Sequence, residues 1–258
     1  MPAGSGERWP ADYEQGRPGW PAESVQIAGL PTNATVLDLG AGTGKLTRLL
    51  ASAFERVVAV EPSDAMRRLL TALCPEAEAV AGTGQDIPLA DASVDGVFAA
   101  QAFHWFDEER AVAEIARVLR PRGALVLMWN IPSGPWKPST ASAEQLLSER
   151  APKGDLGYIP LDLGGPLAAS NWQPAVVDSP FEPFEATMLP NPQTLGRDSL
   201  VAFYASMGWL GDLPDDERLP LVDKVRSLLT AAEYQRVWET HVHWTRRLPR
   251  ADATRELP

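Results

Sequence analysis

The stretch Val36-Leu37-Asp38-Leu39-Gly40-Ala41-Gly42-Thr43-Gly44-Lys45 decides the reading of this chain. Apolar residues enter it, glycines occupy alternate positions 40, 42 and 44, and a helical pattern leaves it through Leu46, Leu49, Leu50 and Ala53. Together these spell strand, tight turn and helix. Glycine at such a turn permits backbone angles that a Cβ forbids and lets the main chain approach a ligand closely. The identity of that ligand is the functional question.

Working outward, residues 35–130 alternate between two periodicities. Thr35–Leu39 reads as a buried strand, Lys45–Ala53 as a helix, and Arg56–Val60 as a second strand. Asp64–Leu73 reads as a helix capped by Ser63, with Met66, Leu69, Leu70 and Leu73 inward. Ala77–Ala81 is a weak third strand, Val94–Ala100 a fourth, Glu109–Leu119 a helix, Arg120–Gly123 a turn and Ala124–Trp129 a fifth strand. Strands that alternate with helices predict a parallel sheet covered on both faces, hence an α/β fold.

The flanks are less regular. Residues 1–20 are polar and rich in Gly and Pro; the first several read as a tail, and the aromatics from Tyr13 onward predict a docked segment. A short helix is expected from Pro21 to about Leu30. Pro, Gly, Ser and Asn dominate 131–180, with one helix at about Ser142–Arg150. Phe181–Leu189 is a sixth strand candidate, Asp198–Met207 and Pro214–Thr230 are helical, and Arg236–Arg246 alternates as a last, half-buried strand.

Composition narrows the partners. The formal net charge is −11, and no basic cluster beyond Arg246-Arg247 and Arg120 with Arg122 offsets it, so a nucleic acid partner is not expected. The single cysteine, Cys74, excludes an intrachain disulfide and reads as a core residue. No apolar run has membrane-spanning length and the N-terminus lacks a leader pattern, so a cytoplasmic protein with no membrane partner is expected.

Three ligands compete for the glycine turn. A P-loop fails because position 39 is Leu and Gly44-Lys45 is followed by Leu46 rather than a hydroxyl residue. A dinucleotide fingerprint fails because position 45 is Lys where a glycine is needed. Glu61 ends the second strand beside the turn, where a carboxylate accepts hydrogen bonds from ribose hydroxyls. Asp38 disfavours a pyrophosphate. A ribose-bearing, adenine-like, phosphate-free and cationic ligand fits, and S-adenosylmethionine has those properties.

At this point four runs, VLDLGAGTGKLTRLL, VVAVEPSDAMRRLL, GTGQDIPLADASVDGVFAAQAFHWFD and IARVLRPRGALVLMWN, resemble the class I S-adenosylmethionine-dependent methyltransferases. The likeness is to the bacterial small-molecule type, related to the quinone-biosynthesis and trans-aconitate methyltransferases, and covers roughly residues 11–130. It implies a Rossmann-like, seven-stranded, mostly parallel sheet with helices on both faces and an antiparallel last strand. It implies one methyltransferase domain: an N-terminal cap segment (1–34), a cofactor-binding core (35–130), an irregular acceptor-site segment (131–180) and C-terminal strands and helices (181–258). By the same resemblance Gly40, Gly42 and Gly44 pass under the methionine moiety with Asp38 nearby, Glu61 holds the ribose, and Thr83, Gly84 and Gln85 flank the adenine. Gly84 and Gln85 depart from the Ala and Glu common in the family. Gln101 faces the methionine end, and Tyr13 and Arg17 close over the cofactor, with Arg17 near its carboxylate.

Methyl transfer is an in-line displacement with a good leaving group, so alignment and desolvation suffice and neither triad nor metal is expected. An acceptor hydroxyl or acidic carbon needs a base, for which His104 and Tyr13 are the candidates; an amine or carboxylate needs none. His104 has a second reading as a packing residue between Phe103 and Trp105. His241 and His243 share a strand face without a third metal ligand. Trp129, Trp136, Trp172 and Trp209 are candidates to line an acceptor pocket. The acceptor is expected to be a small molecule and the protein a monomer or homodimer. A non-methylating S-adenosylmethionine-binding protein and a nicotinamide-dependent oxidoreductase remain open.

Overall fold

The structure, a computed structural model, describes residues 10–133, 138–151 and 179–249. Seven strands form one sheet in the order β3-β2-β1-β4-β5-β7-β6: β1 (Thr35–Leu39), β2 (Arg56–Val60), β3 (Glu78–Val80), β4 (Val94–Ala100), β5 (Leu119–Pro132), β6 (Glu185–Gly196) and β7 (Glu233–Arg246). Strands β1 to β5 pair in parallel, and β7 runs antiparallel to both β5 and β6. The expected sheet with its antiparallel last strand is therefore what the chain forms.

Strand periodicity sorts the core. Leu37, Leu39, Val97, Leu125, Leu127 and Trp129 face one side with Val112 and Ile115 of α4 (Glu108–Val118). Val36, Phe98, Val126 and Met128 face the other with Leu46 and Leu50 of α2 (Lys45–Ala53). Burial on both sides is why the central strands are almost wholly apolar. Ser63 accepts from the Met66 amide (3.3 Å) and caps α3 (Asp64–Leu73), as its position predicts.

The periphery departs more from the pattern. Arg120–Gly123, expected as a separate turn, lies within β5, where the register against β4 shifts and Arg122 takes φ +66°. Strand β6 runs through Pro190 and Pro192, which read as loop residues; it is an edge strand, where a missing N–H costs little. The short helix expected after Pro21 is a single 3-10 turn, Ala22–Val25. Helix α1 (Pro10–Gly16) has no apolar periodicity, because tertiary contact holds it in place. Trp136, Trp172 and much of the 131–180 segment lie outside the described residues, as do residues 1–9.

A second core joins α5 (Ala141–Arg150), α6 (Arg197–Ala205), α7 (Asp215–Leu228) and the start of β7. Within it the Tyr204 hydroxyl (2.7 Å) and Arg236 (3.2 Å) both reach Glu144. Helix α1 docks on this unit: a Cβ at Gly16 would sit 2.1 Å from the Phe203 amide nitrogen. The next stretch is strapped to the sheet. The Asn130 and Asn191 side-chain amides both donate to the Gly19 carbonyl (3.0 and 2.9 Å), and Thr240 donates to Asn130 Oδ1 (2.6 Å).

Gly16→Ala therefore loosens α1 without touching the sheet. A small-to-large change against backbone costs about 1–3 kcal/mol, so cleavage at Glu14 by a glutamate-specific protease accelerates while the urea midpoint of the sheet core moves little. An unchanged cleavage rate contradicts this packing.

Candidate functional site

The carboxyl ends of β1, β2 and β4 converge on the glycine turn. Gly40, Gly42 and Gly44 have φ of +75°, +58° and +86°, angles that favour glycine. Four of the turn's amides already have acceptors. The Gly40 and Ala41 amides donate to the Val60 carbonyl (2.8 and 3.1 Å), Gly44 N to the Ala41 carbonyl (3.0 Å), and Gly42 N to Glu61 Oε2 (2.9 Å). A phosphate cradle needs those amides free; this turn does not offer them.

Glu61 is buried, and its other oxygen accepts from the Ser63 amide (2.9 Å) at the start of α3. One carboxylate thus joins the turn after β1 to the cap after β2. Each oxygen keeps a second lone pair for a ligand hydroxyl. Burial raises the Glu61 pKa, against the opposing effect of its two amide donors. Asp38, on β1, is also buried; burial pushes its carboxyl up to about 7, with Thr47 Oγ1 donating at 2.7 Å and the Glu61 charge adding to the rise. Two buried carboxylates beside the turn suit a cationic ligand and disfavour an anionic one.

Helix α1 covers this turn. A Cβ at Gly42 would lie 3.9 Å from the Tyr13 ring. Burial raises the Tyr13 pKa, so the phenol stays protonated at neutral pH. Glu14 accepts from Thr43 Oγ1 (2.5 Å) and Arg48 (2.6 Å) and lies 3.7 Å from Lys45. The Arg17 guanidinium lies 5.6 Å from the Tyr13 ring and 5.2 Å from the Phe203 ring, and donates to Ser206 Oγ (2.8 Å) and the Ser206 carbonyl (2.7 Å).

Thr83 and Asp86 exchange backbone hydrogen bonds (3.2 and 3.3 Å), which puts Gly84 and Gln85 at the tip of a two-residue turn. Phe106 explains the glycine. A Cβ at Gly84 would lie 2.7 Å from the Phe106 ring, and one at Gly40 would lie 3.6 Å from the same ring. Phe106 thus connects the β1 turn to the Thr83–Gln85 turn.

At the end of β4, Gln101 adopts φ +51°, a strained value for a non-glycine residue. Its amide donates to the Asn130 carbonyl (3.0 Å). His104 follows in a 3-10 turn, Phe103–Trp105, and its Nδ1 accepts from the indole of Trp129 (3.3 Å). Burial depresses the His104 pKa to about 4. Trp129 is fully buried, with its ring 5.9 Å from that of His243. Trp209 lies in the second core rather than along this edge. Among the described residues no group of three metal-ligating side chains exists.

The structure thus gathers Asp38, the glycines, Glu61 and Tyr13, and places Thr83–Gln85, Gln101 and His104 on the same sheet edge; Arg17 lies against Tyr13 and is bonded to Ser206. Sequence reasoning missed Glu14, Thr47, Phe106 and the Trp129 contact to His104. Thr47 lies nine positions after Asp38, in the first turn of a helix that starts at Lys45, so its position was readable. The other three join segments that only the sheet brings together.

The comparisons with known proteins agree with this geometry. Residues 37–127 match the family model described as a methyltransferase domain. An uncharacterised methyltransferase of Mycobacterium tuberculosis is 53% identical over 119 residues, 46% of this chain and 49% of that protein. The malonyl-[acyl-carrier protein] O-methyltransferase of Methylococcus capsulatus is 43% identical over 101 residues, 37% of each chain. The first of these matches spans about half the length of either protein. A solved structure described as a type II methyltransferase of Anaeromyxobacter dehalogenans superposes with a TM-score of 0.65 at 24% identity, covering 90% of this chain and 99% of that one. Residues 37–127 thus carry the likeness to methyltransferase domains, and the superposed structure has the same fold.

The Asp38 environment has a measurable consequence. Its folded pKa of about 7 lies above its ordinary value of 3.8, so the native state holds that proton more tightly. The associated stability is complete below the ordinary value and is lost as pH rises through about 7. Asp38→Asn should remove this loss: the melting temperature of the cofactor-free variant gains on the parent between about pH 4 and 7. A constant difference across that window contradicts the assignment.

Proposed function

We propose that the chain transfers the methyl group of S-adenosylmethionine to a small-molecule acceptor. The observation that carries this reading is the pair of buried carboxylates, Asp38 and Glu61, beside a glycine turn whose Gly40, Ala41 and Gly42 amides are already taken by Val60 and Glu61. Such a site rejects phosphates and accepts a cation with a ribose. When bound, S-adenosylmethionine supplies an electrophilic methyl group. The chain's own residues bind and shield it. Glu61 accepts from ribose hydroxyls, Asp38 with Gly40, Gly42 and Gly44 lies against the methionine portion, and Thr83, Gly84 and Gln85 border the base. Gln101 faces the methionine end, and Tyr13 on α1 shields the turn from water. Arg17, held by Ser206, anchors α1 rather than a ligand carboxylate.

In this reading residues 1–34 cap a cofactor core at 35–130, and 131–180 with the C-terminal part form the acceptor side. The net charge of −11 supports a small acceptor over a nucleic acid. The lone cysteine fits a cytoplasmic location.

The test is calorimetry with S-adenosylhomocysteine, followed by incubation of the protein with methyl-labelled S-adenosylmethionine and a metabolite pool. Binding and a labelled small molecule are expected. Binding without transfer supports a non-methylating S-adenosylmethionine-binding protein, and no binding rejects the cofactor. Glu61→Ala should lose roughly 1.5–3 kcal/mol of affinity for each charge-assisted hydrogen bond removed. Unchanged affinity removes Glu61 from the site.

A further inference from the structure

We propose that Trp129 fixes His104 as the tautomer protonated on Nε2, which makes His104 a hydrogen-bond donor to an oxygen of the acceptor and not a general base. This rests on the methyltransferase reading for the existence of an acceptor, but the state of His104 does not.

An indole N–H only donates. Trp129 is fully buried in the core of the sheet, and its Nε1 points at His104 Nδ1 at 3.3 Å. Nδ1 must therefore carry a lone pair, since a proton there would set two donors against each other inside the protein. In a neutral imidazole the proton then resides on Nε2. Neither nitrogen is left to take up a proton: Nδ1 is committed and Nε2 is already protonated. Burial opposes the imidazolium in the same sense.

The position of His104 gives the donor its use. The residue follows the carboxyl end of β4, three positions after the strained Gln101. Two positions further on, Phe106 touches the Gly40 and Gly84 sites of the cofactor cradle. Among the described residues Nε2 has no hydrogen-bond partner, and His104 is only partly buried. A neutral donor beside the reacting centre recognises a carbonyl, carboxylate or similar oxygen and orients it. The nucleophile then arrives already unprotonated, since His104 does not serve as its base.

The test is nitrogen NMR of the full chain with labelled histidine, with His241 and His243 resolved by substitution. The expected spectrum shows His104 protonated on Nε2 alone through neutral pH. In Trp129→Phe it becomes a mixture of tautomers. Protonation on Nδ1, or an imidazolium at neutral pH in the parent, overturns the proposal, and the parent spectrum decides this even if Trp129→Phe does not fold. Label transfer to the metabolite pool gives the second readout. His104→Gln keeps a donor near the Nε2 position and should retain most transfer, whereas His104→Phe should lose about two- to tenfold, as loss of one neutral hydrogen bond implies. Equal loss in both variants, with S-adenosylhomocysteine still bound, overturns the donor role. Failure of the parent to transfer label at all rejects the methyltransferase reading and leaves the tautomer result standing.

Discussion

The Glu61 carboxylate is the constraint around which the site is built. Its two oxygens hold the Gly42 amide and the Ser63 amide, so one side chain sets the distance between the turn after β1 and the helix cap after β2. A buried carboxylate is tolerated only when hydrogen bonds compensate its lost hydration. Here the donors are backbone amides that the turn would otherwise leave unsatisfied. The Gly42 bond also takes one turn amide that a phosphate could have used. A single side chain thus fixes the geometry of the loop.

The rest of the site is arranged around that junction by segments far apart in sequence. Helix α1 brings Tyr13 over Gly42 and locks Glu14 onto Thr43 and Arg48. That helix is held in turn by Gly16 against α6 and by Arg17 on Ser206, while Gly19 is tied to Asn130 and Asn191. The cover of the cofactor turn is therefore a product of the C-terminal half of the chain. Loosening the α6 unit or the β5–β6 contact to Gly19 should be felt at Tyr13 before it is felt in the sheet.

Charge divides this sheet edge into two parts. Asp38 and Glu61 make the cofactor side acidic, with carboxyls whose pKa values burial raises. At the end of β4, a neutral histidine and an amide, His104 and Gln101, offer hydrogen bonds without charge. Under the proposed methyl transfer, a cationic cofactor would meet the first part and an acceptor oxygen the second, and alignment with exclusion of water would supply most of what the protein contributes.

By itself the sequence determined the order of strands and helices in the core and the character of the cofactor turn. Both rest on local periodicity and on glycine spacing, which are properties of neighbouring residues. The bounds of β1, β2, β4, α2 and α3 follow from that pattern, and Ser63 and Glu61 are legible because they sit at element ends. Only the tertiary structure decided that α1 forms and where Arg17 points, that β6 continues through Pro190 and Pro192, and that Gly84 is required by Phe106. It alone brought the Trp129 indole to His104 Nδ1. Each of these depends on a contact between segments that no short window of sequence contains, and the sheet order β3-β2-β1-β4-β5-β7-β6 is what brings them together.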